Sequence, residues 1–404
     1  MIGKVVTAGT TFLVTIIVAR AFGLDGFGEY IKIFSFVTLF YLVVDFGLNA
    51  MVLQNSSTEE SGIDAIRDIM GLRILLAALA MFAALAITIF LPYDEIAHVG
   101  FSPEAKLGIV VLVPTILGQA LFVTANALFQ KKLRYDLSVV ASSAGSITTL
   151  ALVYLLVQFK APLVFTVVAY PAGSAVMAAS ALFLAGWPNF FGQIRWKEWR
   201  ILFISGIPLG LTLLFNLIYF RADAIILSLY RSSAEVGIYG LAYRFFEFPL
   251  VLPTFFMNAF YPVLLMKKKE NAQDLHRLIK KAFLLLLAAS LVIIVVGWIF
   301  APYFTLVSPA FTKSIDPFHV LLLSLPFFFL SSLCMWVMIT LKRTVLLTTI
   351  YAFAMLINIV LNLFLIPRFG YMAAAYTTFL SEGIVLFLTF YGSKLPVPSE
   401  KTLE

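Results

Sequence analysis

Apolar stretches recur along almost the whole chain, and only short polar turns separate them. As an α-helix, a stretch of roughly 20 apolar residues spans the hydrocarbon core of a bilayer, which is about 30 Å thick. The pattern predicts twelve such helices and leaves no room for a separate soluble domain. Their approximate ranges are 3–22, 31–54, 70–91, 107–129, 137–158, 163–187, 201–220, 237–265, 282–303, 318–341, 345–366 and 372–392.

Composition supports the same fold class. Apolar residues make up 62% of the chain, charged residues make up 12%, and the mean hydropathy is +1.00. These values predict an all-α, polytopic membrane protein with twelve transmembrane helices. The one cysteine, Cys334, lies in an apolar run, so disulfides and thiolate metal sites are not expected.

The chain has a net charge of +7, and its basic residues are unevenly placed. Lys and Arg concentrate in the even-numbered connections between predicted helices, for example at Lys131, Lys132 and Arg134. The positive-inside rule then predicts that both termini face the cytoplasm. In a membrane chain this basic excess indicates topology, and no nucleic-acid partner is expected.

Two weak matches indicate an internal repeat. The segments "GFGEYIKIFSF" and "EVGIYGLAYRF" carry the same Gly-x-Tyr motif, which begins at Gly28 and again 209 residues later at Gly237. A second match sets "LFQKKLRYDL" against "ITLKRTVLLT" at an offset of about 212. Together they predict two six-helix lobes, 1–192 and 193–404. An even number of helices per lobe predicts parallel repeats about an axis along the membrane normal.

Ionisable groups inside the predicted helices are the first functional candidates. A charge near the bilayer centre costs at least about 2.5 kcal/mol on insertion scales. Asp45 lies in the second predicted helix and Glu382 in the last. Each carboxyl group could form a hydrogen bond that packs two helices together. Each could instead bind a coupling ion, and both are candidates for that role.

Arginines at helix ends form a second set of candidates. Arg20 ends the first predicted helix and Arg221 ends the seventh, which are equivalent places in the two lobes. Both could extend to the interface as anchors. Both could instead bind phosphate, because arginine recognises phosphate in bidentate fashion. Arg73 also lies near a helix end, where interfacial anchoring is expected.

Arg244 and two amides complete the candidate substrate-binding set. Arg244 lies three residues before Glu247 on one helix, so the two side chains can form an internal ion pair, or the arginine can bind ligand. Asn126 and Asn216 can form hydrogen bonds across helices or to sugar hydroxyls. Prolines such as Pro114 and Pro249 predict bends in their helices.

The chain lacks the motifs of several enzyme classes. It contains no Walker-type glycine loop, no His-Glu-x-x-His and no nucleophile elbow, and no cofactor or metal is expected. The chain is therefore predicted not to be an enzyme. A membrane polysaccharide polymerase or glycosyltransferase is the enzymatic alternative, although the outer loops offer few acidic residues.

Three segments, 18–54, 208–245 and 358–382, resemble a known family. They are similar to the polysaccharide transporter, or Wzx-like oligosaccharide flippase, family of the multidrug/oligosaccharidyl-lipid/polysaccharide (MOP) exporter superfamily. The resemblance implies two six-helix lobes in a V around a central cavity. Arg20 and Arg221 match the family's arginines at these places, which implies that they bind a diphosphate.

The function implied by the resemblance is translocation of polyprenyl-diphosphate-linked oligosaccharide from the cytoplasmic to the outer leaflet. Such a flippase serves O-antigen, capsule or exopolysaccharide synthesis by ion-coupled alternating access, with a proton or sodium as coupling ion. The expected location is the cytoplasmic membrane of a bacterium or archaeon, in contact with membrane lipids and with polysaccharide polymerase machinery. A multidrug or cation antiporter on the same fold is the alternative.

Overall fold

The computed structural model of the chain describes residues 2–45, 48, 59–186, 195–270 and 272–394. It is an all-α, polytopic membrane protein. Within the described residues, ten helical segments are long and apolar enough to cross a membrane. They are Val6–Asp45, Ile66–Phe90, Pro103–Lys131, Tyr135–Gln158, Leu163–Ala185, Ser233–Lys268, Gln273–Leu306, Pro309–Thr340, Thr344–Phe369 and Tyr371–Ser393.

Helices account for nearly all of the described chain. The first part holds α1 (Ile2–Asp45), α2 (Glu59–Phe90), α3 (Pro103–Leu112), α4 (Thr115–Lys131), α5 (Tyr135–Gln158), α6 (Leu163–Val167) and α7 (Ala169–Ala185). Between α2 and α3, the short strands β1 (Tyr93–Asp94) and β2 (Val99–Gly100) pair antiparallel.

A second series of helices follows. It comprises α8 (Trp196–Tyr230), α9 (Ser233–Glu247), α10 (Val251–Glu270), α11 (Ala272–Phe300), α12 (Ile315–Leu323), α13 (Leu325–Thr340), α14 (Thr344–Phe369) and α15 (Tyr371–Lys394). Two short 3₁₀ helices, Ala301–Leu306 and Pro309–Ser314, connect α11 to α12.

The first helix differs from its prediction. A turn was expected between 3–22 and 31–54, and α1 consists of two helices joined at a kink at Gly23, where φ is 66° and ψ is −164°, so the break is confirmed but is shorter than expected. That backbone region is essentially restricted to glycine. At about 1.5 Å per residue, α1 is long enough for two crossings of a 30 Å core. The end of the second predicted range, 46–47 and 49–54, lies outside the described residues.

The predicted count of twelve helices stays a prediction. The predicted range 201–220 lies within α8, which is not one of the ten segments above. The predicted breaks at two prolines are confirmed. Pro114 stands between α3 and α4, and Pro249 stands between α9 and α10. Proline removes a backbone donor and disfavours helical geometry in the residue before it, so helices end there.

The internal repeat is visible in the backbone. Lys132 follows α4 and Leu341 follows α13, 209 residues later, and both have φ −82° and ψ 4°. The next residues, Leu133 and Lys342, both have positive φ, 55° and 60°. The offset is therefore 209, and the predicted offset of about 212 for this match is wrong. We call α1–α7 the first repeat copy and α8–α15 the second.

The chain packs as two compact units, Met1–Gly237 and Ile238–Glu404. The first unit therefore includes α8 and the start of α9. The predicted boundary between lobes, at residues 192 and 193, lies outside the described residues and stays a prediction.

The start of α8 is anchored on α2 inside the first unit. Arg195 binds both carboxylate oxygens of Asp68, with an Nε to Oδ1 distance of 2.8 Å. One turn later, Trp199 is buried on Gly71, where an added Cβ would lie 2.5 Å from the indole ring. This glycine therefore lets the indole approach the α2 backbone, and an ion pair fixes the entry of α8.

Candidate functional site

A buried arginine in the first unit binds one of the predicted coupling residues. The Arg73 side chain has no exposed surface, and its Nη2 donates to Oδ1 of Asp45 at 3.0 Å. Its Nη1 donates to Oγ1 of Thr124 at 3.0 Å. The prediction that Arg73 anchors the interface is wrong. Its charge is instead compensated inside the bundle, as a buried guanidinium requires.

Asp45 itself is only partly buried, with 30% of its side chain exposed. Its carboxylate therefore pairs with a desolvated cation while part of the side chain remains exposed. Binding of a proton to Asp45 would weaken the contact and leave Arg73 uncompensated.

A polar cluster in the second unit surrounds the other predicted coupling residue. Glu382 on α15 is 3% exposed, and its Oε1 lies 2.5 Å from the Ser331 hydroxyl on α13. On the neighbouring turn, Asn358 of α14 donates to Ser381 at 3.2 Å, and Asn362 donates to Asn358 at 2.9 Å. Buried hydrogen bonds therefore join α15 to α13 through Glu382 and to α14 through the adjacent Ser381.

Arg244 lies at a break in a membrane-spanning segment. It occupies the last turn of α9, and its Nη1 is 3.3 Å from Oε2 of Glu247, so the predicted ion pair is present. Both side chains are about one-quarter exposed. Helices that break at membrane depth do so next to cavities or ligand sites, because lipid cannot satisfy the freed backbone groups.

The remaining predicted residues occupy separate places. Asn126 accepts a hydrogen bond from Ser138 at 2.6 Å and so joins α4 to α5. Arg20 is exposed on α1, three residues before the kink, and Arg221 and Asn216 are half-buried on α8. Among the described residues, no three His, Cys, Asp or Glu side chains form a candidate metal site.

A buried charged cluster in the first unit was not predicted. The ammonium group of Lys32 is fully buried and donates to the Gly100 carbonyl at 2.6 Å and to Ser233 at 2.8 Å. Its third contact is Glu29 Oε1 at 3.3 Å, and Glu29 Oε2 accepts from Ser102 at 2.5 Å. The only sequence signal is the spacing of Glu29 and Lys32, which resembles an ordinary solvated helix pair.

Two protein-family models match parts of this chain. Residues 1–266 match the family model described as "Polysaccharide biosynthesis protein". The chain belongs to this family. A second model, MatE, matches residues 208–364 of the same family member. A search of functionally curated proteins gave no significant match.

Solved structures show the fold of this polysaccharide biosynthesis protein. A lipid II flippase MurJ in an inward closed conformation is 17% identical, covers 98% of this chain and 87% of its own, and has a TM-score of 0.79. An inward-facing multidrug resistance MATE family transporter of the MOP superfamily is 13% identical, with coverages of 98% and 96% and a TM-score of 0.80. An outward-facing MATE family transporter is 14% identical, with coverages of 100% and 94% and a TM-score of 0.66. The chain therefore has the MOP-superfamily transporter fold.

Proposed function

We propose that this protein is a flippase for polyprenyl-diphosphate-linked oligosaccharide in the cytoplasmic membrane of a bacterium or archaeon. It moves the headgroup from the cytoplasmic to the outer leaflet for O-antigen, capsule or exopolysaccharide synthesis. The observation that carries the proposal is the membership in a polysaccharide biosynthesis family, established over residues 1–266. The MOP transporter fold supports translocation as the step performed.

The placement of charge favours an anionic headgroup. Arg20 is exposed, Arg221 is half-buried, and Arg244 is half-buried in its ion pair with Glu247, so each of the three arginines keeps some exposed surface. Of the two candidate acids, Asp45 is paired with Arg73, and Glu382 is buried and accepts a hydrogen bond from Ser331. Accessible guanidinium groups bind diphosphate in bidentate fashion.

The headgroup needs a polar path. Moving a diphosphate and several sugars into hydrocarbon without compensating contacts is prohibitive. In the proposed mechanism the diphosphate binds Arg20, Arg221 and Arg244 in turn, the glycan binds amides such as Asn126 and Asn216, and the polyprenyl chain stays in lipid. The polyprenyl chain can remain in the bilayer throughout, because the exposed faces of the helices are apolar.

A proton or sodium gradient supplies the driving force in this proposal. Asp45 is the candidate in the first unit, because it is paired with a desolvated arginine and 30% of its side chain is exposed. Glu382 is the candidate in the second unit, because its carboxyl group is buried and accepts a hydrogen bond from the Ser331 hydroxyl. Neutralising either carboxylate changes the charge balance of its cluster.

A multidrug or cation antiporter is a second candidate function. The observations that favour it are the MatE match over residues 208–364 and the MATE family transporters among the similar structures. It would require an accessible acid, and Asp45 is the candidate with 30% of its side chain exposed. A proton current induced by organic cations in vesicles, and lost on Asp45→Asn, would support this candidate.

The leaflet position of lipid-linked glycan tests the flippase directly. Cells lacking the protein are probed with an outer-leaflet glycan reagent, and total lipid extract measures the whole pool. The flippase predicts accumulation of glycan inside and none outside, with exposure restored by the parent protein. Normal exposure outside would reject the flippase. Single repeat units accumulating outside would indicate a polymerase instead.

A further inference from the structure

The cluster around Lys32 joins four separate parts of the first unit. Lys32 and Glu29 lie on α1 after the kink, Gly100 belongs to β2, Ser102 caps α3, and Ser233 begins α9. We call these five residues the Lys32 network. In the predicted topology the two parts of α1 before and after Gly23 each cross the membrane, which places the network on the side opposite the N-terminus. That side is the outer one in the predicted topology.

Every donor of the buried cation is used. A lysine ammonium has three N–H donors, and Lys32 has the three acceptors Gly100, Ser233 and Glu29. Glu29 in turn accepts from the hydroxyls of Ser102 and Ser233. A desolvated pair of this kind is stable when complete, but removing one partner leaves an uncompensated buried charge. Losing the contact with Ser233 would therefore leave the buried pair with an unsatisfied polar group.

The backbones on either side of this contact are almost touching. A Cβ added to Gly28 would lie 1.7 Å from the Ser233 carbonyl oxygen. A Cβ added to Gly237 would lie 2.3 Å from the Leu24 carbonyl oxygen. Gly28 and Gly237 are the two glycines of the repeated Gly-x-Tyr motif. The first turn of α9 thus docks on α1 through glycines, and no larger residue fits in the docked arrangement.

Two arrangements of this interface would satisfy its polar groups. When it is docked, the pair is desolvated and fully hydrogen-bonded. When the first turn of α9 moves away, Lys32 and Glu29 lose Ser233, and water must replace it because a half-satisfied buried network is unfavourable. Intermediate positions leave polar groups neither bonded nor hydrated. The network therefore favours either complete docking or complete opening.

Building on the proposed transport function, we propose that Glu29 and Lys32 are positioning residues for the transport cycle. They hold the first turn of α9 on α1 while the outer side is closed, and they become hydrated as a pair when that turn undocks in each cycle. Their charge is what makes undocking possible, since an apolar pair at this place would gain nothing from water.

A single-cysteine reporter tests the docking. Val236 on the first turn of α9 has no exposed surface. The chain contains one cysteine, the buried Cys334, so Val236→Cys in a Cys334→Ser background gives one reporter thiol. Intact cells expressing this parent reporter are treated with a membrane-impermeant maleimide. We expect slow labelling, because the docked turn excludes the reagent.

Two unrelated changes should open the interface. Lys32→Met removes the cation and leaves Glu29 uncompensated, and Gly28→Ala introduces a Cβ where none fits. Each should raise the labelling rate by about tenfold or more, since losing one partner of a buried charge pair exceeds one factor of ten in equilibrium. Gly9→Ala is the matched control on the same helix, because a Cβ added there meets nothing within 4 Å. It should label like the parent reporter.

The double variant Glu29→Gln with Lys32→Met separates positioning from plain structural support. It removes both charges and leaves none uncompensated, so labelling should return to the slow rate of the parent reporter. Export of glycan should nevertheless stay low, because the neutral pair no longer gains from hydration. If the ion pair had only a structural role, the double variant would show both the slow labelling and the normal glycan export of the parent reporter.

Several results would overturn the proposal. Parental labelling in both Lys32→Met and Gly28→Ala would exclude the docking role. Normal export by the double variant would exclude the need for charge. If Lys32→Met does not accumulate in the membrane, Glu29→Asp shortens the carboxylate without changing its charge, and parental labelling there is equally decisive. Labelling needs no transported substrate, so it tests the docking role even if the protein is not a flippase. The leaflet assay tests the flippase proposal separately.

Discussion

The same helix pair is built twice in this protein with different chemistry. In the first repeat copy, Gly173 on α7 packs on α5, and a Cβ added to it would lie 1.9 Å from Oγ1 of Thr149. At the 209-residue offset the second copy has Glu382 on α15 and Asn358 on α14, both in a buried polar cluster. Helices α5 and α7 pack closely at a glycine, whereas the equivalent helices α14 and α15 are joined by buried hydrogen bonds.

At another pair of equivalent positions, the first copy has the ionisable residue and the second copy has the small one. Arg73 on α2 is a buried cation of the first copy, and 209 residues later the second copy has Ala282, which is buried and apolar. Each copy therefore carries an ionisable group where the other is small. Because the equivalent helices form without these groups, the groups are candidates for a functional role, which the variants below test.

Removing the partner of the buried cation should produce the largest effect on stability. Asp45→Asn leaves Arg73 desolvated and uncompensated, which should cost about 3 to 5 kcal/mol in the free energy of unfolding. Arg73→Met should cost less, because the remaining Asp45 is partly exposed and can be hydrated. Thermal unfolding in detergent measures both. Equal losses in the two variants would show that the pair is not desolvated as described.

Adding a methyl group at Gly173 of the first copy should produce the second-largest loss of stability. Gly173→Ala should cost about 2 kcal/mol, since the new Cβ collides with Thr149 and lies only 2.7 Å from the Gly145 carbonyl oxygen. Gly383→Ala on α15 is the matched control, because the nearest atom to its Cβ is 3.6 Å away. Similar melting temperatures for the two variants would contradict the tight contact.

Much of the fold could be predicted from sequence, and the charged contacts could not. Helix length and apolar content are local properties, so the membrane helices and the breaks at Pro114 and Pro249 were predictable. The contacts of Lys32 with Gly100 and Ser233 join residues 68 and 201 positions apart. No local pattern encodes such a pairing, and a lysine near a helix end looks the same whether it is exposed or buried.

The candidate site was predicted in part. Asp45 and Glu382 stand out because a carboxyl group in an apolar run is unusual. The role of Arg73 was misjudged because a long cation near a helix end usually reaches the interface. Its burial depends on Thr124 and Asp45, which come from two other helices. Side-chain partners from separate helices are fixed by tertiary packing.

Neutralising the buried carboxyl of the second copy should separate function from stability. Glu382→Gln keeps an acceptor for Ser331, so the free energy of unfolding should change by less than about 1 kcal/mol. If Glu382 binds the coupling ion, glycan export should lose its dependence on the ion gradient. Export in vesicles with and without an imposed gradient measures this. Unchanged gradient dependence would remove Glu382 from the coupling role.

The smallest expected effect distinguishes packing from substrate contact at an amide of the first copy. Asn126 accepts a hydrogen bond from Ser138, and at the 209-residue offset the second copy has Met335 and Leu347, which cannot form that bond. Ser138→Ala should cost about 1 kcal/mol or less and leave export close to the parent level. Asn126→Ala removes the same bond, so any additional loss of export must come from a contact with substrate. If both variants export equally, Asn126 is a packing residue, and the second copy's apolar pair is its structural equivalent.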